Sequence, residues 1–294
     1  MPLRIMVSRH SAFYSPLIST IAAGFLKAEG IDATYSVLQP GQRSQVLLRD
    51  GIVDVMQSAV SSNWKLIERG DEPRPVHFAQ INRRDGFFLA ARRPDPDFAW
   101  SKLRGRTLLA DHGLQPLVML KYAVHYNGVD WSGIQVIDAG SPEEMEAAFR
   151  SGQGDYVHLQ APAPNQLEKD GAGYVVASVG RAMPPVAFSS LCCSAQFLET
   201  DVAARFLRAY AKARQWARET PPAEVAARET TFFPGIGEDV LASAIAAYQE
   251  LGCWEGGLAI PAELYEQALT VFEYAGEIRL RHPYAQVAQV PDAR

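Results

Sequence analysis

The chain opens on a pattern of period two. Leu3, Ile5 and Val7 alternate with Arg4 and Met6, which predicts a strand. Ser8–Tyr14 is polar and aromatic without a period and reads as a loop. Ser15 can cap a helix, Pro16 suits the first helical position, and Leu17, Ile18, Ile21, Ala22, Phe25 and Leu26 share one helical face. Gly30 can take the left-handed position that ends the helix. The loop thus lies at the carboxyl end of a strand and the amino end of a helix, where ligands bind in open α/β sheets. Its candidate contacts are Arg9, His10, Phe13 and Tyr14. An ordinary surface loop fits the same residues equally well.

Ala33–Val37 and Val53–Gln57 read as further strands, with a short helix over 41–50 between them. The second strand runs out into Ser58, Ser61, Ser62 and Asn63, ahead of a helix around Trp64–Glu68. These polar groups serve as caps, as ligand contacts, or as both. Val76–Ile81 and Phe87–Ala91 are strands on either side of Asn82-Arg83-Arg84-Asp85-Gly86, which a solvated turn explains as well as a binding role does. The segment 92–101, rich in Pro, Asp and aromatics, looks like a connection between domains.

A second unit then repeats the punctuation of the first. Arg106 begins a strand as Arg4 does, and His112 follows it by the interval that separates His10 from Arg4. Pro116-Leu117 matches Pro16-Leu17, and Gly128-Val129-Asp130 matches Gly30-Ile31-Asp32. The two units are read as equivalent, one per domain, each offering a His-bearing loop. Ile134–Ile137 is the next strand. Ser141 and Glu144 form a capping box for a helix through Met145, Ala148 and Phe149. The strand Tyr156–Leu159 ends in Gln160-Ala161-Pro162-Ala163-Pro164-Asn165, and Tyr174–Ala177 is the last strand of this domain. Phe188–Ala195 is apolar and crosses back to the first. Helices follow over Asp201–Glu219, Pro222–Thr230, Glu238–Leu251 and Pro261–Ala275, and the tail His282–Arg294 is expected to drape the surface.

Composition narrows the class. The 294 residues suffice for about two domains and a core without disulfides. A formal net charge of -5 argues against nucleic acid as the main partner. No apolar run has membrane length. Arg4 is followed by a few strand residues and then SRHS, which is no secretory leader. The chain is therefore either cytoplasmic as it stands, or periplasmic with a leader ahead of it. Adjacent Cys192 and Cys193 would point to opposite faces of a strand and are read as structural, like Cys253. Nucleotide, hydrolase and zinc-protease motifs are missing, the histidines have no metal-ligand spacing, and neither cofactor nor metal is expected. His77, His125 and His282 read as structural or exposed, and His158, on a strand, as a satisfied buried histidine.

The order of elements, a βα-unit domain interrupted by a second and completed by helices, resembles the bilobal periplasmic-binding-protein type II fold. Within it, the chain is similar to the family of sulfonate, nitrate, taurine and thiamine-pyrimidine-precursor substrate-binding proteins. Three stretches carry the likeness: FYSPLISTIAAGFLKAEGIDATY, LRGRTLLADHGLQPLVMLKYAVHYNGVD and EEMEAAFRSGQGDYVHLQAPAPNQLEKDG. The resemblance implies an α/β protein of two βα-unit lobes joined by a hinge. Lobe one would comprise 1–92 and 189–294, and lobe two 93–188. It also implies capture of a small molecule in the cleft between lobes, usually for delivery to an ABC importer, by a monomer. Carried over by position, the ligand contacts would be His10, Phe13 and Tyr14, then Ser58 and Asn63, with Asn82 and Arg83 near the crossover. His112 and Gly113 would come from lobe two, with Gln160 and Pro162 opposite. His10 and His112 are expected on opposite walls, and Phe13, Tyr14, Trp64 and His112 suit a flat ring. Arg9, Arg83 or Arg84 would supply a guanidinium for an acidic group, so that the expected ligand is aromatic, heterocyclic or sulfonate-like. The alternative is a soluble enzyme on the same fold, pyrimidine-precursor synthase-like or desulfinase-like. Those desulfinases use a cysteine in the first loop, where this chain has SRHSAFYS.

Overall fold

The computed structural model describes residues 1–289, so the end of the expected surface tail, from 290 on, lies outside the described residues. The first half of the chain alternates strands and helices: β1 (Leu3–Val7), α1 (Ser15–Ala22), α2 (Phe25–Ala28), β2 (Ala33–Val37), α3 (Ser44–Arg49), β3 (Val55–Ser58), α4 (Ser61–Arg69) and β4 (Val76–Asn82). It continues with β5 (Phe87–Ala91), β6 (Thr107–Leu109), α5 (Leu114–Tyr126), β7 (Gln135–Ile137), α6 (Pro142–Arg150), β8 (Tyr156–Gln160), α7 (Ala163–Lys169), β9 (Tyr174–Ser178) and β10 (Ser189–Cys193). Helices α8 (Ala195–Leu198), α9 (Asp201–Glu219), α10 (Pro222–Glu229), α11 (Glu238–Leu251) and α12 (Ala262–Tyr274) complete it. Among the described residues no helix is long and apolar enough to cross a membrane.

The strands form two five-stranded sheets, in the orders β2-β1-β3-β10-β4 and β7-β6-β8-β5-β9. The units that matched in sequence are equivalent in space. β1 lies between β2 and β3, and β6 between β7 and β8, all parallel. The two strand-opening arginines have the same use: Arg4 pairs with Asp54 at 2.6 Å, and Arg106 lies 3.6 Å from Asp155. Each aspartate also accepts a backbone N–H at the start of the neighbouring strand, from Arg4 at 2.8 Å and from Thr107 at 2.9 Å.

Both faces of each sheet are covered, as parallel strands require. On the lobe-one sheet, Ile5 and Val7 face the main core while Met6 faces a smaller cluster with Leu48, Val53 and Met56. Cys193 and Cys192 divide between the same two sides, so the period-two reading of the cysteine pair holds. The capping box at Ser141 and Glu144 is present.

Three boundaries differ from the sequence-based expectation. β5 pairs with β8 and β9, so the chain leaves the first sheet at residues 83–86 rather than at 92. Phe87–Ala91 is buried throughout, and nothing in its apolar run says which sheet it joins. The first helix breaks at Gly24, whose φ of 79° lies in the left-handed region. Ser11, not Ser15, caps the turn that begins it; Ser15 instead donates to Glu229 at 2.8 Å. Finally, the tail is more than a surface strap. Val287 and Ala288 are buried, and the backbone of His77 bonds to Val287 and Gln289, extending the edge at β4.

The crossover is tightly packed. Gly86 lies against the ring of Phe13, and a Cβ there would fall 2.4 Å from a ring carbon. Replacing Gly86 by Ala should overpack this contact and cost about 1–3 kcal/mol of stability in urea unfolding. Unchanged stability would show that the crossover and the first loop are not held together here.

Candidate ligand-binding site

Four strand-to-helix loops and the β4–β5 crossover meet where the lobes face each other. Lobe one contributes the loops after β1 and β3, and lobe two the loops after β6 and β8. Direct hydrogen bonds join them. Ser11 Oγ donates to the Ala161 carbonyl at 2.7 Å, and Ser61 Oγ donates to Gln115 Oε1 at 2.7 Å. The Tyr248 hydroxyl donates to the Gly86 carbonyl at 3.0 Å and accepts the Ala161 N–H at 2.9 Å.

At the centre, the guanidinium of Arg9 from lobe one is ion-paired with the carboxylate of Asp111 from lobe two. Asp111 is only 3% exposed, and its other oxygen accepts the Gly113 N–H at 2.8 Å. A Cβ at Gly113 would stand 2.9 Å from Asp111 Oδ1 and 3.6 Å from Arg9 Nη2, so the glycine leaves room for the pair. The Arg9 guanidinium lies 5.5 Å from the centre of the Phe87 ring, and His158 stacks on that ring at 4.4 Å. The β5–β8 register produces this neighbourhood, because Phe87 is opposite Gln160 and Leu89 opposite His158. Tyr14, facing Gln160, and Asp85 complete the group.

Several of these side chains are buried with polar atoms that have no partner among the described residues: both ring nitrogens of His158, Oε1 of Gln160 and Oδ2 of Asp85. Buried polar groups are nearly always paired, so such a concentration marks a place where something polar belongs. Burial pushes His158 down to about 3, which keeps it neutral. Burial pushes the Asp85 carboxyl up to about 8, against the Phe87 N–H that favours its charged form, and the nearby Asp111 charge adds to the rise. Burial also opposes the charge of Asp111, but the hydrogen bond and charge of Arg9 outweigh it and hold this carboxylate below its ordinary value. One carboxyl is thus neutral and the other ionised within one cluster.

Of the residues expected at the site, Tyr14, Gly113 and Gln160 belong to this group, together with Arg9. Pro162 follows Ala161, the residue that Ser11 and Tyr248 hold, and Ser58 donates to Ser62 Oγ at 3.2 Å at the lobe-one edge. The two histidines are each tied to their own lobe. His10 Nδ1 shares a hydrogen bond with the Tyr35 hydroxyl at 2.9 Å and its ring packs on Phe233 at 4.4 Å; His112 Nδ1 donates to the Ala110 carbonyl at 2.8 Å. The residues just before them bridge the lobes instead, because neighbours in an extended segment point to opposite sides. Phe13 is fully buried between Phe188 and Tyr248, and Trp64 is fully buried, donating to Tyr265 at 3.0 Å. Neither ring is placed to stack on a ligand. Asn63 donates inward to the Pro75 carbonyl at 2.7 Å, Asn82 donates to Ser189 Oγ at 2.7 Å, and Arg83 reaches toward Gly256. Arg84 donates to the Gly180 carbonyl at 2.9 Å.

Sequence reasoning missed Asp85, Phe87, Asp111 and His158. Asp111 had a signal: it precedes His112 as Arg9 precedes His10. His158 was expected to be satisfied and is not. The state of Asp85 has a measurable consequence. Its folded value is raised above the ordinary carboxylate value of about 4, so its contribution to stability is complete below that pH and is lost as pH rises to about 8. Asp85→Asn keeps the acceptor for the Phe87 N–H but removes the titration. Urea unfolding at pH 5 and pH 8 should therefore show a smaller loss of stability in the variant than in the unaltered protein. Equal losses would mean that Asp85 is ionised in the fold. Glu229, buried and likewise pushed up to about 8, is common to both proteins and cancels from the comparison.

Known proteins give this arrangement a context. A protein of Bacillus subtilis (strain 168) named "Putative binding protein YtlA" is 27% identical over 282 residues, covering 95% of this chain and 84% of that one. The ligand-binding component of an ABC-type import system from Staphylococcus aureus, solved with zinc bound, superposes with a TM-score of 0.76 at 15% identity, covering 99% of this chain and 97% of that one. The alkanesulfonate-binding protein SsuA from Xanthomonas axonopodis pv. citri, bound to MOPS, superposes with a TM-score of 0.74 at 14% identity, covering 98% of each chain. The two lobes are those of the periplasmic-binding-protein fold. The family model described as NMT1/THI5 like matches residues 13–224, and the chain belongs to that family.

Proposed function

We propose that this protein is a solute-binding protein that captures a small organic molecule between its lobes and passes it to the membrane components of an ABC-type importer. The observation that carries this reading is the buried cluster drawn from both lobes and the crossover: Arg9 and Tyr14, Asp85 and Phe87, Asp111, His158 and Gln160. A cleft closed by hinge motion brings such groups together around a ligand, and unpaired buried atoms are where its polar groups would bond. Family membership and the named function of the Bacillus relative support capture. The sulfonate ligand of the Xanthomonas neighbour supports an acidic group on the ligand, which Arg9 would receive. Ser58 and Pro162 would edge the cleft. The cysteines favour capture over nucleophilic chemistry, since all are buried and burial raises each thiol, that of Cys192 to about 12.

A ligand that binds only the folded protein stabilises it by mass action, by about 2.7 kcal/mol at a hundredfold excess over Kd. Fractions of a metabolite extract, added to the purified protein, should include one that raises the melting temperature. Mass spectrometry after denaturation should return the same compound unchanged. A converted product would establish an enzyme, and no active fraction from any extract would remove the capture reading.

A further inference from the structure

One acid in the cluster has no cation to balance it. Asp85 is fully buried on the crossover between the sheets, and lobe two closes on its backbone at Gly180, where any side chain would collide with the Asp85 carbonyl. Three elements bring titratable groups near its carboxyl: Tyr14 at the start of α1, Asp111 beyond β6 and Cys253 beyond α11. None of these is a cation. The arginines beside it in sequence turn elsewhere: Arg84 donates to the Gly180 carbonyl at 2.9 Å, and Arg83 reaches toward Gly256. Arg9 is ion-paired with Asp111. A buried carboxyl without a cation, near an ionised carboxylate, keeps its proton. The hydrogen bonds fix which oxygen carries it. Oδ1 accepts the Phe87 N–H at 2.7 Å and is therefore the carbonyl oxygen, which leaves Oδ2 as the hydroxyl. Oδ2 is buried and has no partner among the described residues, and the orphaned atoms of His158 and Gln160 do not meet it. The cluster thus holds a buried O–H donor beside the Arg9 N–H groups that Asp111 does not take.

We propose that Asp85 is a specificity residue of the cleft: its Oδ2 hydroxyl donates to an acceptor atom of the captured molecule, so that capture requires the proton on Asp85. This rests on the capture reading and deepens it. The acceptor is an oxygen or an unprotonated ring nitrogen; a molecule with an N–H or a positive charge at that place meets a donor and is turned away. Affinity is then constant while Asp85 is neutral and falls as pH rises past about 8, where burial and the Asp111 charge have placed its titration. The neighbours do not titrate there. Burial raises Tyr14 to about 12 and Cys253 well above an ordinary thiol, and His158 is already neutral.

Titration calorimetry with ethanesulfonate, benzenesulfonate, acetate and benzoate, none of which titrates between pH 7 and pH 9.5, tests it. At least one of these anions should bind the unaltered protein at pH 7 and lose about tenfold or more in affinity by pH 9.5. Asp85→Asn puts a permanent N–H donor in place of the hydroxyl, and its affinity for the same anion should change less than about twofold over that range. Asp85→Leu, which has no donor, should bind that anion about tenfold or more weaker than the unaltered protein at pH 7. Glu229, which also titrates near pH 8, is present in all of them. An affinity that is the same at both pH values in the unaltered protein overturns the proposal, as does an equally steep fall in Asp85→Asn or silence from every anion. Undiminished binding by Asp85→Leu overturns it too, since Asp85 would then only repel anions when ionised. So does binding of ethylammonium that strengthens as pH rises, which would make Asp85 an acceptor. Should Asp85→Asn not fold, infrared spectroscopy of the unaltered protein decides: the bound anion should shift the C=O band of a protonated carboxyl at pH 7, and an unmoved band overturns the proposal. If an extract compound binds equally well at both pH values, the role of Asp85 fails while capture stands. If nothing in the extract binds, capture itself fails.

Discussion

Two opposite charges, carried by different lobes, meet where there is little water to weaken them. Arg9 stands two residues beyond the end of β1, and Asp111 two residues beyond the end of β6, so the equivalent units present complementary charges from the same position. Attraction between such groups grows as solvent leaves, while either one alone in a closed cleft would be costly. The surroundings serve this pair. Gly113 omits the side chain that would crowd it, its N–H steadies one carboxylate oxygen, and the ring of Phe87 lies beside the guanidinium. Asp85 stays neutral partly because Asp111 is not.

The pair depends on a stiff frame behind it. Tyr248, on a helix that the chain reaches only after both sheets are complete, bonds at once to the crossover at Gly86 and to Ala161 beside β8. Phe13 packs into the same place, against Tyr248 and Phe188, while Trp254 donates to its carbonyl at 3.1 Å. Phe13, one of the rings expected to stack on a ligand, is instead held where the first loop starts its helix. The late helices also reach lobe two from lobe one, through Lys169 and Asp239 at 2.6 Å and Asn165 and Ser243 at 3.1 Å. Such solvent-exposed contacts add little energy individually.

Much of the fold was legible because it rests on local rules. Period-two runs gave the strands, the Ser141–Glu144 box gave a helix start, and the repeat of Arg4 and His10 in Arg106 and His112 marked two equivalent units. What periodicity does not carry is partnership. Phe87–Ala91 reads as a strand, yet only its pairing with β8 shows that it belongs to the second lobe. The site was half legible for the same reason. The loops were placed correctly by the strand-to-helix rule, and Tyr14, Gly113 and Gln160 lie in the cluster. Within each loop, however, it is the neighbour of the histidine that bridges the lobes, and residue type alone does not show this. The choice between them depends on which way an extended segment turns, and Tyr35 and Ala110 decide it. Burial explains the rest: Trp64 and Asn63 look like ligand groups in a list of residues, but both point into the body of lobe one.

The central claim is that Arg9 and Asp111 act on each other across the cleft. A double-mutant cycle measures this directly, using Arg9→Gln, Asp111→Asn and the two combined, with unfolding free energies from urea denaturation at one pH and salt concentration. The account predicts a coupling of about 1–3 kcal/mol, with the double variant less destabilised than the sum of the singles. Additivity within about 0.5 kcal/mol would mean that the two charges do not hold each other, and would contradict it.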